Sequence, residues 1–218
     1  MGVYLYSNEW LPWENTIAYL KLEENTTDYS WNSNDGTWTN ITYTTLWTGK
    51  KVATFSGSSK VDFSSPLVSS GTFTCNMWVY GNWLGTSANN SWLNVVMGNA
   101  SSDARGYYAD HYWTWLRSVV NNVVTYGDDW KYANNEWFLF TSTYDWSNIR
   151  TYKNGVLLST EWWATLWNTT NFYFGYRKYS NDRYWKGYMS EFICENVAWT
   201  TDQVLSHYNT TKSNYWIS

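Results

Sequence analysis

Basic residues are scarce in this chain. Its 14 Lys and Arg are outnumbered by 18 Asp and Glu, for a net charge of −4. They nowhere gather into the stripe that a phosphate backbone needs, which excludes a nucleic-acid partner. No apolar run is long enough to span a membrane. The opening residues, MGVYLY, lack the basic start and apolar stretch of a secretory signal. An exported product has therefore lost its signal or leaves the cell another way, for example on a virus particle. Proline occurs only at Pro12 and Pro66. Two cysteines, Cys75 and Cys194, are too few for a disulfide framework. They read either as buried thiols acting as small hydrophobes or as a single bridge. The two histidines, His111 and His207, are isolated, and no Ser-His-Asp or Cys-His arrangement can be built on them.

Aromatic residues are abundant instead. They make up 22% of the chain, with 19 Trp and 20 Tyr, against 15% charged residues. A length of 218 residues suits one sandwich domain with a sizeable core. Residues 1–15 read as an irregular lead-in and 16–218 as the domain. The most legible stretch is WFLFTSTYDWSNIRTYKNGVLLST, Trp137 to Thr160. Aromatic and β-branched residues predict a strand, Asp145 to Asn148 a turn, 149–153 a second strand, and Asn154-Gly155 a tight hairpin into a third. Further strands are expected at 16–22, at 71–80 with Phe73, Cys75, Met77 and Val79 on one face, at 92–97, at 113–120 and at 185–194. Residues 23–40 read as a polar loop. Thr200 and Gln203 form a capping box that opens a short helix through Tyr208, with Val204, Leu205 and Tyr208 as its apolar stripe.

These motifs, in this order, resemble the laminin-G-like, concanavalin A-like jelly-roll domains. Trp137, Thr143, Tyr144, Asp145, Tyr152, Asn154 and Gly155 match the family's central meander. Asp28, Ser30, Asn32, Asn34, Asp35, Gly36 and Thr37 match or nearly match its polar loop. The segments at 49–57, 61–63, 71–80 and 185–194 follow in sequence, with Gly187 and Glu191 matching and Ser190 replacing the usual aspartate. The resemblance covers residues 16–208. It implies an all-β fold, a two-sheet antiparallel sandwich with a short C-terminal helix, in which the strands of Cys75 and Cys194 lie close together in one sheet.

The resemblance also suggests where chemistry would sit. Many relatives bind calcium, which takes hard oxygen ligands. Asp28, Asn32, Asn34 and Asp35, with Glu191 from the late strand, are the candidate ligands of one structural Ca²⁺; the same loop also reads as Asx turns that satisfy their own backbone. Sugars are bound by flat aromatic faces with a few orienting polar groups. The segment from 81 to 130 offers Trp83, Trp92, Arg105, Tyr107, Tyr108, Asp110, His111, Tyr112, Trp113 and Trp115. Of these, Trp83, Trp92, Arg105, Tyr108, Asp110, Tyr112 and Trp113 are the candidate carbohydrate contacts, although a sandwich also needs aromatics in its core. Some relatives hydrolyse glycosides with carboxylates alternating along one strand. This chain has only Glu191 and Glu195, which strand rise would set roughly 13 Å apart, too far for a retaining pair.

The expected function is therefore non-catalytic recognition of a glycan or cell-surface polysaccharide, outside the cell or on a virion surface. Its rivals are a structural virion or surface-layer role, with other virion or surface proteins as partners, and a glycoside hydrolase. Trp31 and Trp146 stand where relatives have turn glycines, at a position costly for tryptophan. Trp38, Trp47 and Trp162 or Trp163 also fall in polar loop stretches. Either the surface is rich in exposed tryptophan, or the source reads UGA as glycine.

Overall fold

The computed structural model describes residues 14–69, 71–82, 93–102, 105–112, 115–127, 135–167 and 169–215, without the side chains of 93, 111, 112 and 115. Thirteen strands are present among the described residues: β1 (Thr16–Leu20), β2 (Gly36–Thr45), β3 (Lys51–Phe63), β4 (Phe73–Gly81), β5 (Leu93–Gly98), β6 (Tyr107–Tyr112), β7 (Trp115–Val120), β8 (Val123–Val124), β9 (Trp137–Tyr144), β10 (Asn148–Lys153), β11 (Val156–Trp162), β12 (Tyr173–Phe174) and β13 (Lys186–Glu195). Helix α1 (Thr201–Thr211) and a 3-10 turn, Lys212–Tyr215, follow. The strands pair antiparallel in the order β11-β10-β9-β4-β13-β3-β12-β5-β6-β7-β8, with β1 on β13 and β2 on β3. The sheet doubles back on itself, so that β7 faces β9 and β10. There Thr151 Oγ1 donates to Ser118 Oγ at 2.7 Å, and Ser118 Oγ lies 2.5 Å from Ser142 Oγ. The result is the expected antiparallel β-sandwich with one short C-terminal helix.

Between the layers lies an apolar core. Phe63 and Phe192 pack against Phe174 at ring-centroid distances of 5.0 and 4.5 Å, edge to face. Cys75 and Cys194 are directly opposed in the β4–β13 register and fully buried; both are free thiols, and Cys75 Sγ donates to Cys194 Sγ at 3.4 Å. Burial raises the Cys194 thiol well above its ordinary range. The central meander follows the pattern in its sequence. Asp145 accepts from the backbone N–H of Asn148 at 2.9 Å and from Arg150 at 2.6 Å, which fixes the β9–β10 turn. Gly155 has φ +80°, and a Cβ there would come 2.8 Å from Leu205 Cδ1, so α1 closes directly onto that hairpin.

Some expectations shift. Strand β2 begins at Gly36, inside the stretch read as loop, because its alternation is polar throughout and the strand is exposed on most of its length. Strand β3 runs unbroken through Gly57, at φ +86°, where two shorter segments were expected. Strand β6 was unseen, since its residues gave no alternation of apolar and polar types. Helix α1 rests on Val204, His207 and Thr211, whereas Leu205 is 41% exposed. His207 replaces Leu205 in the buried stripe because it packs on Trp199, with ring centroids 5.3 Å apart. No helix among the described residues is long and apolar enough to cross a membrane.

The C-terminal segment seals the outer face of the first sheet. Tyr215 stacks on Trp78 at 4.3 Å, and its hydroxyl lies 2.9 Å from Ser190 Oγ and 3.1 Å from Glu191 Oε2. Trp78 Nε1 donates to Thr211 Oγ1 at 3.0 Å.

Burial holds the His207 imidazole at a pKa of about 4, below the ordinary 6.5. The unfolded chain therefore takes up this proton first. The contribution is fully present above pH 6.5 and is lost as pH falls towards 4, by roughly 3 kcal/mol. Glu191 and Glu195, raised by burial, act in the opposite sense as pH rises through the carboxylate range. The histidine contribution is isolated by comparing urea unfolding of the wild type with His207→Phe at several pH values. The variant is expected to gain on the wild type steadily from pH 6.5 to 4; a constant difference would refute the assignment.

Candidate functional site

Strands β5, β6 and β7 form the second layer, and their side chains alternate between the core and an outward face. Tyr107 and Ala109 on β6, with Leu116 and Val120 on β7, belong to the core. Tyr108 and Asp110 take the opposite face, where Tyr108 packs with Val119 and Val124. Asp110 is opposed to Arg117 in the β6–β7 register. The two make a bidentate ion pair, Nε to Oδ1 at 2.8 Å and Nη2 to Oδ2 at 2.7 Å, with Asp110 fully buried and Arg117 8% exposed. Burial alone would lower the arginine pKa. The hydrogen bonds and charge of Asp110 reverse this and raise it, so the guanidinium is held charged and fixed. The Arg117 guanidinium stands 6.0 Å from the ring of Tyr126, which is 43% exposed. Val95, opposed to Asp110 in the β5–β6 register, forms a further buried cluster with Tyr173 and Tyr176, against which Tyr184 packs. Tyr108 and the ion pair are buried, so the part of this arrangement that a ligand of C–H faces can reach is the half-exposed ring of Tyr126.

Of the candidate carbohydrate contacts, Tyr108 and Asp110 come together on this face. Tyr112 lies on β6 with its side chain outside the described residues, and Trp83, Trp92 and Trp113 lie outside them altogether. Arg105 does not join the face: it precedes β6, is exposed, and sits 5.6 Å from the ring of Trp167. Tyr107 faces the core. Arg117 and Tyr126 went unnoticed in the sequence. Arg117 had one signal, its place in a strand that could return beside Asp110; Tyr126, in a connecting loop, had none.

Other aromatics are exposed elsewhere. Trp146, Trp162 and Trp163 flank one end of the first sheet, where Ala164 N donates to Ser147 O at 2.9 Å. A shallow groove of about 400 Å³ lies between residues 25–27 and 35–38, with half-exposed Trp38 on its wall.

The polar loop is organised by Asp28. Its Oδ1 accepts from Tyr19 N at 2.9 Å and Ser30 N at 2.8 Å, and its Oδ2 from Asn34 N at 2.8 Å and Ser30 Oγ at 2.7 Å. Asp35 Oδ1 accepts from Asp28 N at 2.7 Å. Asn32 and Asn34 donate to the carbonyls of Thr16 and Ile17 at 2.7 and 2.9 Å. Glu191 accepts from Tyr215 under the C-terminal segment. Among the described residues no group of three or more His, Cys, Asp or Glu side chains gathers as a cation site. The donors already on Asp28 occupy the lone pairs that Ca²⁺ would need, so this loop fits the self-satisfied Asx reading better than the metal.

Glu191 and Glu195 are 4% and 5% exposed. A bulge between Ser190 and Ile193 interrupts their strand, with Glu191 at φ +54°. Glu195 is engaged by the indole N–H of Trp199. Burial raises both carboxyl pKa values; Glu191 is closed in by Tyr215, and Glu195 by Trp199 and Thr16.

No family model matches the sequence, and no curated protein does. Solved structures do match in fold. Domain 4 of AbnA, a GH43 extracellular arabinanase from Geobacillus stearothermophilus in complex with arabinotriose, is similar at TM-score 0.70 and 21% identity, over 88% of this chain and 97% of that one. The binding domain of botulinum neurotoxin DC in complex with SialylT is similar at 0.64 and 16%, over 91% and 52%. Botulinum neurotoxin type C, described as dependent upon interaction with two ganglioside molecules for cell entry, is similar at 0.62 and 13%, over 91% and 51%. The chain thus spans about half the length of the toxin chains. At these identities the likeness is one of fold: the neighbours are β-sandwich binding domains.

Removing one partner of the buried ion pair leaves the other charge alone. Arg117→Met is expected to cost about 3–5 kcal/mol in urea unfolding, and Asp110→Asn with Arg117→Met together to recover part of that loss. Additive losses would show that the pair is not coupled. The Asp28 network further predicts the same melting temperature in calcium and in chelator; a clear rise with calcium would place a metal in the loop.

Proposed function

We propose that this chain is a non-catalytic carbohydrate-binding module. Its ligand is a glycan or cell-surface polysaccharide, bound on the outward face of β6 and β7. The observation that carries the reading is the half-exposed ring of Tyr126, which stands 6.0 Å from an Arg117 guanidinium that buried Asp110 fixes by two hydrogen bonds. Tyr126 offers a flat face to sugar C–H groups, while the buried pair beneath holds its surroundings rigid. The fold neighbours add support, since structures of this architecture were solved with arabinotriose and with SialylT. Fold alone does not carry activity, so the weight rests on the face. The hydrolase reading is disfavoured because the carboxylates it needs, Glu191 and Glu195, are both buried. Calcium takes no part in the proposed binding step. Such a module works outside a cell, on its surface or on a virion.

A glycan array that includes arabino-oligosaccharides and sialylated glycans tests this. The chain is expected to bind, with and without chelator, and Tyr126→Ala to weaken binding roughly tenfold, or about 1.4 kcal/mol, at unchanged melting temperature. Failure to bind any glycan would favour the structural role at a surface. Unchanged binding by Tyr126→Ala would move the site off this face.

A further inference from the structure

Three tryptophans occupy backbone positions that favour glycine: φ is +72° at Trp31, +78° at Trp146 and +66° at Trp163. In that region the Cβ of an L residue crowds the following carbonyl oxygen, and glycine alone is free of the clash. Other described residues share positive φ, and most of them have a reason for it. Six are asparagines, whose short polar side chain tolerates the conformation. Leu22, Leu67 and Glu191 lie lower, at +56°, +49° and +54°. They are 0%, 9% and 4% exposed, so burial of the side chain holds them in place. Ser33 and Arg183 are also lower, at +55° each. The three tryptophans have no such anchor. They are 90%, 65% and 88% exposed, and their φ values approach those of the turn glycines Gly175 at +75° and Gly155 at +80°. A large ring that is both strained and largely in water gains little from its position.

We infer that positions 31, 146 and 163 are glycine positions of this fold, and that tryptophan stands at them because UGA triplets, which the source reads as glycine, have been read as tryptophan. Trp78, Trp137, Trp185 and Trp199 are a different population: all are buried, and they belong to the core as UGG-encoded residues. The inference bears on the binding site. With glycine at 146 and 163, the exposed aromatic edge at that end of the sheet loses its two strained rings, and sugar recognition falls to the β6–β7 face. That consequence rests on the carbohydrate reading; the assignment of the three positions does not.

The triplets in the source gene are the first test. UGA is expected at 31, 146 and 163, and UGG at the four buried positions; UGG at the three turn positions overturns the inference. The second test uses the chain itself. The triple variant Trp31→Gly, Trp146→Gly, Trp163→Gly is expected to melt higher than the parent, by about 2–4 °C per position. The matching alanine triple keeps the Cβ and its strain, and should fall short of it. A glycine triple no more stable than the alanine triple also overturns the inference. On the array, the glycine triple should keep the glycans that the parent binds. Loss of those glycans would overturn the placement of binding on β6–β7, whereas a parent that binds none sinks the carbohydrate reading and leaves the melting comparison to decide the turn positions.

Discussion

Strands β4, β9 and β13 are buried on both faces, and the rest of the molecule answers to that. All of β9 is buried, as is nearly all of β4 and β13. A strand in this situation needs cover from two directions. The inner side is met by β5, β6 and β7 folding back over the phenylalanine core. The outer side is met by α1 and Tyr215, which bring Trp78, Trp137 and Tyr215 into one aromatic cluster. This second cover decides the fate of the late-strand carboxylates. Glu191 and Glu195 lie beneath the C-terminal segment, bonded to Tyr215 and Trp199, and act as parts of the scaffold.

The second layer lies across the core from that helix. Among the described residues its outer face carries Tyr108 and the Asp110–Arg117 pair, all buried, with the half-exposed ring of Tyr126 beside them. A buried ion pair is not in itself a device for stability, since removing two charges from water costs several kcal/mol per ion. Its bidentate geometry makes it a rigid polar reference between aromatic rings. That rigidity is what a binding face uses to orient a ligand at low entropic cost.

Similarity to an arabinanase domain and to toxin binding domains establishes a shared architecture. A sandwich of this kind hosts many functions, and the transferable part is the frame: strands that hold alternate side chains at fixed spacing, and loops that vary. Here the frame carries a polar loop in which Asp28 is bonded within the loop and to β1. Asp28 shows how one motif serves either role. Its oxygens can face a cation or tie down Tyr19, Ser30 and Asn34, and in this chain they do the latter.

The strands of the central meander, the Asn154-Gly155 hairpin and the capping box at Thr200 were all legible in the sequence. Each rests on local chemistry: alternation, positive φ at a tight turn, a side chain reaching three residues along. The resemblance implied that the strands of Cys75 and Cys194 lie close together in one sheet; their direct opposition is a matter of register. Strand β6 was not legible, because Tyr107 to Tyr112 places aromatics on both faces and so hides the period. Which tyrosine faces the core, and which faces out, depends on the register with β7, a property of two segments at once. The pairing of Asp110 with Arg117, the substitution of His207 for Leu205 on the buried side of α1, and the enclosure of Glu191 were decided in the same way. The amino-acid sequence by itself determined the strand and turn chemistry, and with it the class of fold. Only the tertiary structure decided which polar groups are buried in pairs and which side chains stay exposed, because desolvation and long-range pairing are set by what packs against a residue rather than by its neighbours in the chain.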